Sequence, residues 1–222
     1  MKPPLSTLLL FWAAVLLCLP PASGNQIRLQ FLSLDEGEVT DLFRAEEADM
    51  QPLRIPASFL PAPISTSRET PFFLYRKMEA PEEGASPWQP VARLNFPEGA
   101  SDAVVLVQSN GERVSASVIP LNDRQFPAGA YMLFNRTPRA ILIGVDEEVT
   151  RIPPQSVRIV QPAVQQRKPI PVFFRAEGDE ENRSLVTTTW FHNPANREFV
   201  FLSSPGIEIR VRSVSRHPPP EE

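Results

Sequence analysis

Two valine-rich runs meet at Asn110-Gly111 in the stretch Ala103-Val-Val-Leu-Val-Gln-Ser-Asn-Gly-Glu-Arg-Val-Ser-Ala-Ser-Val-Ile119. Asn and Gly accept the positive φ angles of a type I′ turn, whose twist matches that of two paired strands. In the second run Val114, Ala116 and Val118 alternate with polar residues, which predicts a strand with one buried and one solvated face. The stretch therefore predicts a β-hairpin, and similar patterns recur along the chain.

The rest of the chain after residue 26 has the pattern of a succession of short β-strands. Valine and phenylalanine are enriched in these runs, and Pro, Gly, Asn and Asp bound them. The 26 prolines disfavour long helices, because the proline ring removes a hydrogen-bond donor and clashes inside a helix. Short strands at this spacing indicate an all-β sandwich or barrel rather than βαβ units. Besides the hairpin strands, the predicted strands are Ile27–Leu34, Thr40–Arg44, Pro52–Ile55, Ser58–Ile64, Phe72–Arg76, Val91–Phe96, Ala130–Asn135, Ala140–Val145, Glu148–Ile152, Ser156–Val160, Val172–Arg175, Val186–Phe191, Glu198–Leu202 and Ile207–Val214.

The two halves of this strand series resemble each other, which predicts an internal duplication. The phrase Phe72-Phe-Leu-Tyr-Arg76 is matched by Val172-Phe-Phe-Arg175, and Arg54-Ile-Pro56 is matched by Arg151-Ile-Pro153. These and further matches keep their order at offsets of about 95 to 99 residues. Each unit then has roughly 90 residues, a common size for an immunoglobulin-like sandwich. The fold prediction is therefore all-β, with two similar immunoglobulin-like β-sandwich units.

Residues 1–24 have the pattern of a secretory signal peptide. Lys2 supplies a positive n-region, and Leu8–Leu19 forms an apolar run of the usual h-region length. Pro20-Pro21 then break the helix, and Ala22-Ser-Gly24 offers small residues for cleavage after position 24. An uncleaved membrane anchor is the alternative, but a span needs about 20 apolar residues, more than this run supplies.

Composition narrows the classes of function. The single cysteine, Cys18, lies within the predicted signal, so the mature chain would have neither a disulfide nor thiolate chemistry. The chain carries 22 basic and 26 acidic residues, and the formal net charge is −4. Loss of Lys2 with the signal peptide would make the net charge of the mature chain more negative by one. This balance, without a basic stripe, argues against nucleic acid as a partner.

Few residues offer catalytic or metal chemistry. His192 and His217 are the two histidines, and a Ser-His-Asp arrangement would have to use His192. No Gly-x-Ser-x-Gly elbow accompanies it, so we interpret His192 as structural or solvent-exposed. The densest acidic run, Glu177–Glu181, lacks the spacing of a calcium loop and is interpreted as a solvated turn. No phosphate-binding loop or dinucleotide motif is present, so no catalytic residue, metal or cofactor is predicted.

Trp88 is the one residue that we single out as a ligand contact. It lies in the proline-rich phrase Ala85-Ser-Pro-Trp-Gln-Pro90, which is interpreted as a linker, and the alternative is that it caps the edge of a core. Trp190 alternates with threonines in a predicted strand and is interpreted as a core residue. Asn135-Arg-Thr137 and Asn182-Arg-Ser184 match the glycosylation acceptor pattern, which matters only in a eukaryotic secretory pathway.

A phrase in the second unit, Phe126-Pro-Ala-Gly129, is followed by Leu133-Phe-Asn135 and then by Val145. Together with the signal and the short β units, this layout resembles that of uncharacterised secreted β-sandwich proteins of Gram-negative bacterial envelopes. The resemblance spans most of the mature chain and rests on spacing. It implies no functional residue, because a likeness of fold does not give function.

These patterns predict a signal peptide at 1–24, β-sandwich units at 25–120 and 121–214, and a disordered tail at 215–222. We expect a non-catalytic secreted or periplasmic protein that binds another envelope or extracellular protein, or assists envelope assembly. One alternative is a carbohydrate-binding module that uses Trp88. The other is a hydrolase that uses loop carboxylates.

Overall fold

The computed structural model describes residues 25–79, 84–111, 113–204 and 206–217. The predicted signal peptide and residues 218–222 of the predicted tail lie outside these ranges. Within them the regular elements are sixteen β-strands and no α-helix, which confirms the all-β prediction. Over the same residues, no helix combines the length and the apolar character needed to cross a membrane.

Strands β1–β8 form the first unit and β9–β16 form the second. The first unit contains β1 (Gln26–Ser33), β2 (Val39–Glu46), β3 (Asp49–Ile55), β4 (Ile64–Ser67), β5 (Phe72–Lys77), β6 (Trp88–Leu94), β7 (Asp102–Ser109) and β8 (Val114–Pro120). The second unit contains β9 (Tyr131–Asn135), β10 (Ile141–Val145), β11 (Glu148–Ile152), β12 (Ser156–Val160), β13 (Lys168–Ala176), β14 (Val186–His192), β15 (Arg197–Ser203) and β16 (Arg210–Arg216).

Each unit consists of two four-stranded sheets, an inner sheet that faces the other unit and an outer sheet that does not. The inner sheets have the orders β4-β1-β7-β8 and β12-β9-β15-β16, and the outer sheets have the orders β3-β2-β5-β6 and β11-β10-β13-β14. The strand order of the first unit therefore recurs in the second with every number raised by eight. The parallel pair β1–β7 likewise recurs as β9–β15. Two similar β-sandwich units are thus confirmed, and their shared topology supports the predicted duplication.

The strand arrangement adds detail that the sequence pattern does not contain. Each unit divides eight strands equally between its sheets, whereas an immunoglobulin domain of the constant type divides seven strands into four and three. The predicted strand Ser58–Ile64 is wrong, since β4 begins only at Ile64. Pro61 and Pro63 have no N–H to donate to a ladder, so pairing starts after them. At the other end of the chain β16 runs to Arg216, past the predicted start of the tail.

The buried side chains of the described ranges form three apolar cores, one inside each sandwich and a third between the two inner sheets. Ala103, Val105 and Val107 of β7 face the core of their own sandwich. Val104 and Leu106 of the same strand face the other unit. Both faces of β7 are therefore buried, and this explains why 103–107 is a continuous apolar run rather than an alternating one.

The third core joins the units into one stack of four sheets. Phe134 and Phe201 stack with their ring centroids 4.9 Å apart. The guanidinium carbon of Arg212 lies 4.3 Å from the centroid of the Phe201 ring. Arg212 also donates hydrogen bonds of 3.2 Å to the carbonyl oxygens of Ser33 and Leu34 in the first unit. Apolar packing and main-chain hydrogen bonds thus tie the second unit to the first.

Candidate functional site

The outer sheet of the first unit presents an apolar row of side chains on its solvent side. Pro52, Phe43, Tyr75 and Pro90 are successive register partners across β3, β2, β5 and β6. Side chains of neighbouring residues in a strand point to opposite faces, so the row lies opposite the side chains that form the core. The buried leucines of these four strands are Leu42, Leu53, Leu74 and Leu94. This sheet is consequently apolar on both faces, and only one of them is packed into a core of the described residues.

Four aromatic side chains form what we call the aromatic face: Phe43, Phe73, Tyr75 and Trp88. The ring centroids of Phe43 and Trp88 are 4.7 Å apart and their planes are inclined by 58°. Those of Phe73 and Tyr75 are 6.1 Å apart at 54°. All four residues are half-buried, so each ring keeps part of its surface in solvent. The arrangement is a tilted, open aromatic surface rather than a closed core.

Two cations flank the aromatic face. The Lys77 ammonium lies 5.9 Å from the centroid of Trp88, its register partner on β6. The Arg93 guanidinium carbon lies 6.0 Å from the centroid of Phe73, also its partner. Cations at this distance over a ring are attracted by its electron-rich face. These contacts hold the rings in place and set positive charge beside them.

The position of Trp88 follows from an irregularity in the ladder. It begins β6 and does not lie in a linker as the sequence suggested. The register between β5 and β6 shifts between Leu74 and Tyr75. A bulge of this kind re-aims the side chains beyond it. Trp88 therefore stands opposite Lys77 and turns towards Phe43 on β2, two strands away.

A shallow hollow of about 560 Å³ opens beside Trp88. Ala45, Met50 and Gln51 line it together with the indole, and the carboxylates of Glu47 and Asp49 stand at its rim. The hollow owes its shape to the tight β2–β3 turn, in which Glu47 adopts a left-handed φ of 53°. An apolar wall and polar rim groups are the usual composition of a small binding surface.

Sequence reasoning finds Trp88 but misses Phe43, Phe73 and Tyr75. The available signal is the alternation in Phe72–Arg76, where Phe72 and Leu74 are buried while Phe73 and Tyr75 point outwards. An aromatic residue at each outward position of a strand indicates a second apolar face. The sequence does not reveal that Phe43 joins them, because that requires the pairing of β2 with β5.

His192 is buried, and both of its ring nitrogens are engaged. Nε2 lies 3.0 Å from the carbonyl oxygen of Val164, which can only accept, so Nε2 carries the proton. Nδ1 therefore accepts from the Tyr131 hydroxyl at 3.0 Å. Burial, with a smaller contribution from the charge of Glu198, raises the pKa of Tyr131 and keeps that donor protonated. This geometry leaves His192 no free nitrogen for general-base chemistry, in keeping with a structural histidine.

The acidic run 177–181 is organised by local hydrogen bonds. Glu177 accepts two hydrogen bonds of 2.7 Å from Arg151, and these lower the pKa of the carboxyl. The hydroxyl and the backbone N–H of Ser184 donate to Asp179 and lower its pKa as well. Among the described residues, no group of three or more His, Cys, Asp or Glu side chains has the arrangement of a metal site.

The two glycosylation acceptor patterns lie in contrasting environments. Asn135 is buried, with 1% of its surface exposed, and its amide donates to the carbonyl oxygens of Arg139, Ile152 and Pro153. Asn182 is exposed at a turn with a φ of 54°. The first asparagine is thus a structural cap whose side chain is inaccessible in the folded chain.

Comparisons with known proteins give neither a family nor an argument about fold or function. No protein-family model matches the sequence, and no curated protein matches it either. Among solved structures, a proposed cell adhesion protein from Bacteroides uniformis covers 89% of this chain and 99% of its own, with 8% identity and a TM-score of 0.23. A likeness at that level carries no functional argument, so the site must be argued from its own geometry.

Proposed function

We propose that this chain is a non-catalytic binding protein of the cell envelope or extracellular space, and that the aromatic face binds an apolar segment of a partner protein. The observation that carries the proposal is the solvent-facing row of Pro52, Phe43, Tyr75 and Pro90 with Trp88 beside it. Tyrosine and tryptophan are enriched among the residues that dominate protein interfaces. An apolar surface that the fold leaves uncovered is typical of an interaction site.

The prolines indicate how a partner would engage this sheet. Pro52 lies on β3 and Pro90 on β6, which are the two edge strands of the outer sheet. A proline on an edge strand removes an N–H and discourages the addition of a further strand. Docking onto the face, with side chains packed between the rings, is therefore favoured over strand addition at the edge.

A second candidate is carbohydrate binding, which one feature of the hollow favours. Glu47, Asp49 and Gln51 stand around a cavity whose wall is the indole of Trp88. An indole face suits the apolar side of a sugar ring, and carboxylate and amide oxygens accept hydrogen bonds from hydroxyl groups.

Site-specific photo-crosslinking tests the protein-binding proposal. A photoreactive phenylalanine analogue is placed at Tyr75 or, as the matched control, at Val149, which is 61% exposed in the second unit and belongs to neither site. In the native envelope we expect discrete protein adducts from position 75 that are lost when Trp88→Ala is added. Equal adducts from both positions, or adducts insensitive to Trp88→Ala, would contradict the proposal.

Tryptophan fluorescence tests the carbohydrate alternative. Titration with a panel of envelope glycans should shift the emission of Trp88 if a sugar stacks on it, and Gln51→Ala should weaken the response. Glycan-dependent changes that survive Trp88→Phe would place any such ligand elsewhere. No change with any glycan removes this candidate and leaves the protein partner.

A further inference from the structure

Among the described residues, the second unit has a crevice at an edge that apolar side chains close in the first unit. It opens between β14 and β16, the neighbouring edge strands of the two sheets, and has a volume of about 200 Å³. Tyr131, Trp190, Glu198, Ser213 and Ser215 line it. We call it the Glu198 crevice. It is distinct from the aromatic face, which lies on the outer sheet of the other unit.

Because the two units share one topology, the residues of this crevice can be compared with those at the corresponding positions of the first unit. In the second unit Glu198 pairs with Ser215, and Val200 pairs with Ser213. The positions that correspond in the first unit hold Ala103 paired with Pro120 and Val105 paired with Val118. There β6 packs against β8 and the gap is filled by apolar side chains. One copy of the fold therefore closes this edge with apolar residues, and the other opens it around a carboxylate and two hydroxyls.

The Glu198 carboxylate is half-buried and is held by hydrogen bonds rather than by an ion pair among the described residues. Its carboxylate accepts a 2.7 Å hydrogen bond from the Ser215 hydroxyl. No arginine or lysine in the described ranges forms an ion pair with it, and burial raises its pKa. Hydrogen bonds from Ser215 and Asn196 and the proximity of His217 lower that pKa to a smaller extent. The Tyr131 hydroxyl, whose own pKa is raised by burial, lines the same crevice. A half-buried carboxylate that forms no salt bridge is stabilised in its charged form when a cation enters.

Aromatic rings form the other wall of the Glu198 crevice. Tyr131 and Trp190 are stacked, with centroids 4.7 Å apart and planes inclined by 22°. Phe191 lines the mouth and is 70% exposed. Ring faces attract cations, and an alkyl chain packs well against them. The combination of a carboxylate, hydroxyl acceptors and aromatic rings suits a cation that carries an apolar stem.

We propose that the Glu198 crevice binds a primary alkylammonium group, either the end of a lysine side chain on a partner or a free aliphatic amine. The ammonium would sit against Glu198 and donate to the Ser213 and Ser215 hydroxyl oxygens, while its methylene stem lies along Trp190. A primary ammonium has three donors, which matches this set of acceptors. The proposal is independent of the ligand of the aromatic face, because the two sites share no residue.

Calorimetric titration with n-butylammonium chloride, and with n-butanol as the neutral analogue, tests the proposal. We expect millimolar binding of the ammonium only, and a loss of tenfold or more in affinity for Glu198→Gln. Glu148→Gln, which removes an exposed carboxylate of the same unit, is the matched control and should bind normally. Trp88→Ala should also bind normally, so failure here and failure of the aromatic-face proposal are distinguishable.

A short glycine-flanked lysine peptide and its acetyl-lysine counterpart form a second arm of the experiment. Tighter binding of the lysine peptide than of n-butylammonium identifies a protein lysine as the source, and equal binding identifies a free amine. A thermal unfolding transition confirms that each variant is folded. Equal affinity of the original protein and Glu198→Gln, equal binding of n-butanol, or no heat at tens of millimolar ligand would overturn the proposal.

Discussion

Glu198 is a single residue whose charge opposes the stability of the fold. Burial raises its pKa above the ordinary value of 4.5, so the folded chain holds this proton more tightly than the unfolded chain. The free energy of unfolding therefore falls as the pH rises from about 4.5 through the raised pKa of the folded state. A carboxylate that lowers stability at neutral pH is more simply explained by a role in binding than by a role in folding.

We predict that Glu198→Gln raises the free energy of unfolding at pH 7, by no more than about 1 kcal/mol. Glutamine keeps an oxygen that accepts from Ser215 and removes only the charge. The gain should vanish below the ordinary carboxyl pKa, where both states of the original protein are protonated. Urea unfolding at several pH values measures it, with the exposed Glu148→Gln as a control that shows no such trend. A destabilised Glu198→Gln at pH 7 would contradict this account.

Among the strands, the pairing of β10 with β13 depends on a glycine, because a ring of β13 lies over a position of β10 that has no side chain. Gly144 pairs with Phe173, whose ring covers it on the solvent side of the outer sheet. A Cβ at Gly144 would lie 2.0 Å from a ring carbon of Phe173. The ring can occupy this place only because the neighbouring strand carries no side chain there.

We predict that Gly144→Ala lowers the free energy of unfolding by about 1–3 kcal/mol, because it forces the Phe173 ring out of its position. In the double variant with Phe173→Ala, the added cost of Gly144→Ala should be much smaller, which a double-mutant cycle by urea unfolding measures. Gly37→Ala is the control, since a methyl group at Gly37 would have no atom within 4 Å and its φ is not left-handed. Additive effects at 144 and 173 would show that the cost of Gly144→Ala does not arise from the Phe173 ring.

Most strands can be predicted from the sequence, because runs of valine and phenylalanine bounded by proline and glycine mark them well. The prediction fails at Ser58–Ile64, where prolines prevent pairing, and at Trp88, which starts β6. The aromatic face and the Glu198 crevice cannot be found in this way. Both depend on which strands are neighbours, and the aromatic face also depends on the bulge between β5 and β6. Strand pairing and register are set by contacts between residues that are distant in the sequence.

For the whole molecule, the central feature is that the apolar contact between the units resembles a domain core. Leu106 from the first unit and Phe199 from the second are at most 2% exposed. Both belong to the third core. Strands with both faces buried, such as β7 and β15, contribute to two cores at once. Loss of one unit would expose the inner sheet of the other, so we expect the two units to unfold together.

We predict a single unfolding transition for both units, and tryptophan fluorescence can resolve it unit by unit. In a chain that begins at Asn25, Trp88 reports on the first unit and Trp190 on the second. Variants with Trp88→Phe or Trp190→Phe should therefore give the same urea midpoint. Leu106→Asp buries a charge between the inner sheets and should cost about 3–5 kcal/mol.

Leu106→Asp should also separate the urea midpoints reported by Trp88 and Trp190, because the third core would no longer couple the two sandwiches. Val149→Asp, at a residue 61% exposed on the outer sheet of the second unit, should leave the midpoints together. If the reporters already differ without any substitution at the junction, each sandwich is stable by itself. The third core would then hold two independent domains side by side, and the orientation of the aromatic face relative to the Glu198 crevice would no longer be fixed by folding.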